Sequence, residues 1–206
     1  MKTVALIGYS GHAFVVAYVL RQSGYKLIGY FEKKSIDTNL LQLDYLGFEG
    51  DEDFKLKIRN TSVFPAIGNN QIRKRIMMLI MEKGIRIALA VSPKANLSNH
   101  IKIGTGTLVC PGVCINPFTI VGTGVILNTG AIIEHECSIG DFAHIAPGAV
   151  LAGNVHIGEL SFIGANSVVK QGIKIGENVI IGAGAVVLKN IPDNEIWIGN
   201  PAKRVK

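Results

Sequence analysis

The chain has 206 residues, of which 48% are hydrophobic and 17% charged, a balance that permits a sizeable core and excludes global disorder. The net charge of +6 does not indicate nucleic-acid binding, because the basic residues are scattered and are not interleaved with aromatic ones. The first apolar run, VALIG, is too short for a signal peptide or a membrane span. Three cysteines without a metal-binding pattern are typical of reduced thiols. We therefore expect a cytoplasmic protein without nucleic acid, metal or membrane insertion.

Residues 1–92 alternate apolar segments of strand length with segments of helical spacing. This alternation is typical of a small Rossmann-like α/β domain with a parallel sheet, in which ligands bind at the carboxyl ends of the strands. A second domain is expected over 93–206. The predicted strands are 3–8, 26–31, 62–68 and 86–90, and the predicted helices end near Gln22 and span about Asn70 to Lys83.

A glycine-rich turn, GYSGH, follows the first predicted strand. Gly8, Ser10 and Gly11 would place backbone N–H groups at the start of a helix, where phosphate is favoured. The turn therefore predicts a nucleotide or nucleotide-sugar site, and the alternative is a tight turn whose glycines serve packing only. The full G-x-G-x-x-G pattern of an NAD site is absent. Glu32, at the end of the second strand, either binds a hydroxyl group or is solvated, and AIGNN at 66–70 ends a strand on the same edge.

From residue 97 onwards the sequence repeats with a period of six. A six-residue period does not fit an α-helix, and the recurring glycine after each aliphatic residue does not fit a continuous strand. A short strand followed by a tight corner does fit, and three such units per 18-residue coil resemble the hexapeptide-repeat left-handed parallel β-helix, here with about five coils. The aliphatic positions are Leu97, Ile103, Val109, Ile115, Val121, Leu127, Ile133, Ile139, Ile145, Leu151, Ile157, Ile163, Val169, Ile175, Ile181 and Val187.

Strand alternation divides each repeat into inward and outward positions. On two of the three sides the outward residues are mostly apolar, which is more exposed apolar surface than a soluble monomer normally carries. We therefore expect these sides to pack against other copies in a closed homotrimer. The two apolar ladders are Leu108, Ile126, His144, Phe162 and Ile180, and Cys114, Ile132, Val150, Val168 and Val186.

One histidine has the setting of a catalytic base. His135 occupies a corner of the repeat between Glu134 and Glu136, and a neutral imidazole beside a carboxylate is suited to removing a proton near pH 7. The alternative is a solvated corner histidine. No Ser/His/Asp or Cys/His nucleophile pattern is evident, so direct transfer is favoured over an acyl-enzyme. His144 lies nine residues on, half a coil away, so a site that uses both histidines would need two subunits.

Three segments together resemble the sugar O-/N-acyltransferases of the NeuD and PglD type: YSGH, AIGNNQIRKR, and VILNTGAIIEHECSIGDFAHIAPGAVLAGNVHIG. The resemblance covers essentially the whole chain and implies a trimer, an N-terminal nucleotide-sugar domain, and acetyl-CoA bound in a cleft between β-helices. It implies His135 as general base, Glu136 as the residue that raises its basicity, and His144 at the thioester end of acetyl-CoA. Ala165 and Ala183 would line the pantetheine channel. The implied substrate-binding residues are Ser10, Gly11, His12, Glu32, Lys33, Gly68 and Gln71.

The reaction expected from this resemblance is N-acetylation of a UDP-4-amino-4,6-dideoxy sugar by acetyl-CoA in bacterial glycan synthesis. Lys33 departs from the acidic pattern expected after the second strand, so GDP and dTDP stay open as the nucleotide. One alternative is O-acetylation of sialic acid or a related sugar, and another is a noncatalytic partner of a sugar synthase. Serine acetyltransferase is not supported, because residues 1–92 do not have the pattern of an all-helical lobe.

Overall fold

The computed structural model describes residues 2–206 and groups them into two compact units, which meet in the sequence between Ser92 and Pro93. The first unit contains short helices and a parallel sheet. Its elements are β1 (Lys2–Ile7), α1 (Gly11–Gln22), β2 (Tyr25–Phe31), α2 (Phe54–Lys57), β3 (Ser62–Pro65), α3 (Asn70–Glu82) and β4 (Ala90–Val91).

The central strand of the first unit's sheet is β1, with β2 and β3 parallel to it on either side. Residues 4–7 are buried without alternation, as expected of a central parallel strand that is covered on both faces. α3 begins after Asn69, whose side-chain oxygen accepts a hydrogen bond from the Ile72 N–H at 3.0 Å, the usual cap of a helix N-terminus. The parallel register places the carboxyl ends of these strands on one edge of the sheet. The turns that were predicted to bind a ligand begin at this edge.

One sequence-based expectation for the first unit is wrong in detail. The predicted strand 86–90 pairs with β3 through an isolated bridge between Val63 and Ile87, with hydrogen bonds from Val63 N–H to Arg86 O and from Ala88 N–H to Val63 O, and it is not a continuous strand. The polar stretch 33–60 contains α2, a helix that the sequence did not predict. Phe54 at the start of α2 is fully buried and packs edge-to-face on Phe31, so this helix is held by its apolar contact.

The second unit consists of very short strands stacked on three sides of a prism over residues 96–206. The first side contains β5 (Asn96–Leu97), β8 (Cys114–Ile115), β11 (Ile132–Ile133), β14 (Val150–Leu151), β17 (Val168–Val169) and β20 (Val186–Val187). The second side contains β6 (Lys102–Ile103), β9 (Ile120–Val121), β12 (Ser138–Ile139), β15 (His156–Ile157) and β18 (Lys174–Ile175). The third side contains β7 (Leu108–Val109), β10 (Ile126–Leu127), β13 (His144–Ile145), β16 (Phe162–Ile163), β19 (Ile180–Ile181), β21 (Ile196–Ile198) and β22 (Lys203–Arg204).

This arrangement is the predicted left-handed β-helix. Strands on each side pair in parallel with partners 18 residues away, as Ile133 does with Leu151, and the aliphatic position of nearly every repeat is buried. The solenoid has about six turns over the described residues, one more than the sequence indicated, because β21 returns to pair with β19 and extends the third side. β22 then folds back antiparallel on β21.

The two outward apolar ladders are present, but they are not equally exposed. On the first side Ile132 and Val168 are exposed at 37% and 39%. On the third side Leu108 and Ile126 are each only 1% exposed, whereas Ile180 is 44% exposed, so only the first part of this ladder is already covered within the chain. The homotrimer therefore stays a prediction that rests on less exposed apolar surface than the sequence pattern indicated.

No helix within residues 2–206 has both the length and the apolar character that a membrane span requires.

Candidate active site

A pocket of about 440 Å³ lies at the carboxyl edge of the first unit's sheet. It is lined by the segments that follow each strand of that sheet and by one side of α3, as expected for a ligand site of an open parallel sheet. The predicted residues Ser10, Glu32, Lys33 and Gly68 line it, together with Asn69. Gly11 begins α1 directly after Ser10, and Gln71 is exposed in the first turn of α3.

The turn after β1 requires glycine at its first position. Gly8 has a left-handed backbone, with φ of 95°, and a Cβ there would lie 3.1 Å from the side chain of Ile67 and 3.3 Å from the carbonyl oxygen of Ala66. Ser10 precedes α1 with an extended backbone, and its side chain makes no capping hydrogen bond. Its exposed hydroxyl is thus not committed to the helix N-terminus, where an anion is favoured.

Charges of both signs surround this pocket. The Glu32 carboxylate accepts hydrogen bonds from the Tyr9 and Lys33 N–H groups at 3.2 and 3.0 Å, so these backbone donors hold it in place. Glu49, which the sequence analysis did not single out, is 8% exposed in the same lining, and burial raises the pKa of its carboxyl group. Lys33 and Arg75 provide the cations of the lining, which suit a diphosphate.

Behind the pocket lies a buried arginine that the sequence analysis missed. Arg73 is 1% exposed and donates hydrogen bonds to the carbonyl oxygens of Ile67 and Gly68, each at 3.1 Å, and to Asn70 Oδ1 at 2.8 Å. Burial lowers the pKa of its guanidinium to about 9. Burial, followed by the charge of Arg73, lowers the pKa of His12 to about 4, so His12 is neutral at pH 7 and can offer only hydrogen bonds to a ligand.

We expect Arg73→Met to lower the free energy of unfolding by about 2 kcal/mol, because it removes a buried charged donor that holds the Ile67 and Gly68 carbonyl oxygens and Asn70 Oδ1. Nucleotide binding should weaken as well, since these carbonyls belong to the pocket's rim. Urea denaturation measures the first effect. Arg75→Met is the matched control, because Arg75 lines the same pocket but is exposed. Equal stabilities for the two variants would contradict this role of Arg73.

On the β-helix, His135 projects from the corner between the first and second sides. Its Nδ1 lies 3.0 Å from Oε2 of Glu136, and both side chains are at least half exposed. A carboxylate bonded to Nδ1 keeps the hydrogen on that nitrogen and leaves the lone pair of Nε2 free to accept a proton. This is the geometry of an oriented general base.

The corner that carries His135 is braced by its neighbours in the preceding coil. Thr119 Oγ1 donates to the Glu134 carbonyl oxygen at 3.1 Å, and Asn116 Nδ2 donates to Glu134 Oε2 at 2.9 Å. Glu134 is therefore occupied by a structural contact, so Glu136 is the carboxylate that orients the imidazole. This distinguishes the two glutamates that flank His135 in the sequence.

In the following coil, Gly153 makes room for the imidazole. A Cβ at Gly153 would lie 2.6 Å from both Cε1 and Nε2 of His135. Every other residue at this third position of the repeat, from Asn99 to Ala183, has a side chain. Gly153 is thus the one glycine at this position of the repeat. That is the sequence signal for the contact, and the sequence analysis missed it.

His144 lies on the third side, on β13. Its Nε2 is 3.2 Å from Asn128 Nδ2, and its ring packs edge-to-face on Phe162 with centroids 4.9 Å apart. It is only 8% exposed, which is less than expected of an outward residue. Ala165 and Ala183 lie in successive coils at the corner that follows this side, as the hydrogen bond from Gly184 N–H to Ala165 O shows.

Within one chain, His135 and His144 lie on opposite sides of the β-helix. His135 is at the corner between the first and second sides, and that corner faces away from the third side, which carries His144. The structure of a single chain therefore does not bring these two predicted residues together. A site that contains both needs a second copy.

The C-terminal segment folds back on β21 through the antiparallel strand β22. Glu195 accepts a hydrogen bond from Trp197 Nε1 at 2.7 Å and pairs with Arg204 Nε at 3.1 Å, and Lys189 Nζ lies 5.0 Å from the centroid of the Trp197 ring. With Lys203 these residues line a cationic hollow of about 430 Å³, a suitable surface for phosphate groups.

Two of the three cysteines are buried thiols without nucleophilic character. Burial raises the pKa of Cys110 to about 12 and that of Cys137 to about 11, so both are thiols at neutral pH, and both belong to the core. Across residues 2–206 no group of three or more His, Cys, Asp or Glu side chains is arranged to hold a metal ion.

The fold and this site together define the class of hexapeptide-repeat acyltransferases with an N-terminal α/β unit. The family model of the PglD N-terminal domain matches residues 3–80, and that of the bacterial transferase hexapeptide repeat matches residues 136–171 and 154–189. Solved structures of related proteins match this chain over its full length.

PerB from Caulobacter crescentus, solved with CoA and GDP-perosamine, is 33% identical, with a TM-score of 0.93 over 100% of this chain and 98% of that one. The acetyltransferase domain of PglB from Neisseria gonorrhoeae, solved with acetyl coenzyme A, is 31% identical, with a TM-score of 0.89 over 99% of each chain. WeeI from Acinetobacter baumannii is 26% identical, with a TM-score of 0.88 over the whole of both chains. This chain belongs to the PglD/NeuD-type family of hexapeptide acetyltransferases, and it is an acyltransferase.

Proposed function

We propose that this enzyme transfers the acetyl group of acetyl-CoA to the 4-amino group of a nucleotide-linked 4-amino-4,6-dideoxy sugar, with His135 as the general base. The observation that carries the proposal is the exposed His135–Glu136 pair, 3.0 Å apart, in a chain 33% identical to a protein solved with CoA and an amino-sugar nucleotide. UDP is the nucleotide we favour, and GDP and dTDP are the alternatives.

The proposed reaction is a direct attack of the amine on the thioester. Nε2 of His135 takes a proton from the amine as its nitrogen forms a bond to the acetyl carbon. The C–S bond then breaks, and the departing CoA thiolate takes the proton back from the imidazolium. Glu136 orients the ring and stabilises the imidazolium while it exists. Cys110 and Cys137 are excluded as acyl carriers, because neither is a thiolate that could carry the acetyl group.

We assign the nucleotide to the pocket at the carboxyl edge of the first unit's sheet. The N–H groups of Ser10 and Gly11 at the start of α1 suit the diphosphate, and Glu32 is held in position to accept hydrogen bonds from hydroxyl groups. His12 and Gln71 remain part of this proposal although they are not in the pocket's lining. Lys203 and Arg204 in the C-terminal hollow are assigned to the phosphates of CoA.

The active form is proposed to be a homotrimer, in which His135 of one chain and His144 of the next face one cleft. Light scattering should give three times the 22.1 kDa mass of the chain. Mixed trimers of His135→Ala and His144→Ala chains test the shared cleft. In a random one-to-one mixture about one quarter of the clefts would contain both histidines, so about one quarter of wild-type activity should return. Activity that stays at zero would contradict a shared cleft.

The chemical identity of the acceptor is tested by a matched pair of sugars. Nucleotide-linked sugars with either an amino or a hydroxyl group at C4 are incubated with acetyl-CoA, and CoA release is followed. We expect the amino sugar alone to react. Reaction of hydroxyl sugars alone would instead favour O-acetylation, and a protein without activity on either, whose function survives His135→Ala, would be a noncatalytic partner.

A further inference from the structure

Strained residues occur on the edge of the β-helix that carries His135. The fourth position of each repeat has a left-handed backbone, and at most corners it is Gly or Asn, which adopt that conformation readily. Three consecutive coils of this edge instead have His100, Phe118 and Glu136, with φ of 62°, 62° and 60°. Strain of this kind persists where the surrounding structure or the function requires the side chain.

Packing does not account for Phe118. Phe142, at a different corner, has the same left-handed backbone with φ of 58°, but it is 4% exposed and contributes to the core. Phe118 is 64% exposed. Its backbone is therefore strained and its ring is solvated in a single chain, and a ligand that covers the ring would explain why glycine or asparagine does not occur here.

Phe118 lies directly beside the proposed base. The Glu136 N–H donates to the Pro117 carbonyl oxygen at 3.0 Å, so Phe118 and Glu136 occupy the same column in adjacent coils, about 4.8 Å apart. His100 stacks on the ring of Phe118 with centroids 5.6 Å apart and an interplanar angle of 14°, which holds its orientation. Ile120, 51% exposed, extends the apolar surface on β9.

The imidazole of His135 points away from the apolar surface formed by Phe118 and Ile120, so this surface is open to a ligand. His135 leans over Gly153 in the following coil, whereas Phe118 lies in the preceding coil. In a 4-amino-4,6-dideoxy hexose the C6 methyl group is bonded to C5, the carbon next to the one that bears the amine. A sugar whose amine is at Nε2 of His135 can therefore direct this methyl group back toward the preceding coil and the ring of Phe118.

We propose that Phe118, oriented by His100, is a specificity-determining residue that contacts the C6 methyl group of the amino sugar. This inference rests on the proposed function and names a further feature of its substrate. Moving a methyl group from water onto the apolar surface of Phe118 and Ile120 lowers the free energy of binding. A 6-hydroxyl group would lose hydrogen bonds to water there without a polar partner, so the enzyme should select 6-deoxy sugars.

Phe118→Asn tests this role, because asparagine readily adopts the left-handed backbone and is the residue at the same corner position in Asn154. The wild-type enzyme should prefer the 6-deoxy amino sugar over its 6-hydroxy counterpart by at least about tenfold in kcat/KM. The variant should lose this preference, while its KM for acetyl-CoA stays constant and its Tm stays constant or rises. Leu56→Asn, an exposed apolar position on α2 (75% exposed), is the control and should retain the preference.

A variant that keeps the wild-type preference would overturn the inference. So would a variant that loses it together with its oligomeric mass, since the ring would then pack between copies. Wild-type protein that acetylates neither sugar would overturn the proposed function itself, and this is seen before any variant is assayed.

Discussion

His135→Gln is expected to lower kcat by about 10²–10⁴-fold, the range for loss of a positioned general base. The amine would then attack the thioester without a group to accept its proton. KM for the sugar and for acetyl-CoA should change little, because the imidazole acts mainly in the transition state. Steady-state kinetics with CoA release as the readout measures both quantities.

His156→Gln is the matched control for this experiment. His156 lies on β15, on the second side, where its Nε2 is 3.2 Å from Asn154 Oδ1, and it has no carboxylate beside it in the sequence. Its replacement should leave kcat within about twofold, as is usual for surface positions. If the two variants were equally active, His135 would be a solvated corner residue and the base would have to be found elsewhere.

Gly153→Ala is expected to lower kcat by about 10²-fold, a loss typical of a misplaced catalytic group. The new methyl group would occupy the space of Cε1 and Nε2 of His135, each of which lies 2.6 Å from the place that a Cβ would take, and the imidazole would have to turn away. Only the end of a flexible side chain has to move, so the Tm should change by no more than a few degrees. Thermal unfolding and kcat are measured on the same preparation.

The double variant Gly153→Ala/His135→Gln separates this mechanism from a general disturbance of the corner. If the alanine acts by displacing the imidazole, it should cause no further loss once the imidazole is gone, because residues acting through one group are not additive. A further loss of about 10²-fold in the double variant would mean that Gly153 serves the site in another way.

The sequence was sufficient to predict the β-helix, because each six-residue unit specifies its own strand and corner. The outward ladder Ile126, His144 and Phe162 was predicted from position in the repeat alone, and the parallel register pairs these residues in adjacent coils. The pairing follows directly from the period, since partners 18 residues apart are forced into the same place in the next coil.

Features that depend on contacts between distant segments could not be predicted in this way. Leu108 and Ile126 have the outward position of an exposed ladder, yet each is 1% exposed, because burial is decided by what covers a side and not by the repeat. Arg73 had the appearance of one cation in a basic helix. Its burial against the Ile67 and Gly68 carbonyls depends on how α3 meets the turn after β3, which no local pattern encodes.

The candidate catalytic pair was predictable because its two members are adjacent in the sequence. His135 and Glu136 need only a corner to bring their side chains together, whereas the distinction between Glu134 and Glu136 required the contact of Asn116 with Glu134 from the preceding coil. The proposed nucleotide pocket could be predicted only in part. The turn after β1 was evident, but Glu49 and Arg75 enter the lining from a loop and a helix whose positions the sequence left open.

Mass spectrometry of the products tests the central claim most directly. Wild-type and His135→Gln proteins are incubated with acetyl-CoA and the nucleotide-linked 4-amino-4,6-dideoxy sugar. The masses of both the sugar product and the protein are then measured. We expect one acetyl group on the sugar nitrogen with wild type, almost none with the variant, and no acetylated protein at any time. An acetyl group on the protein, or on a sugar oxygen, or equal product from both proteins would contradict direct transfer to an amine by His135.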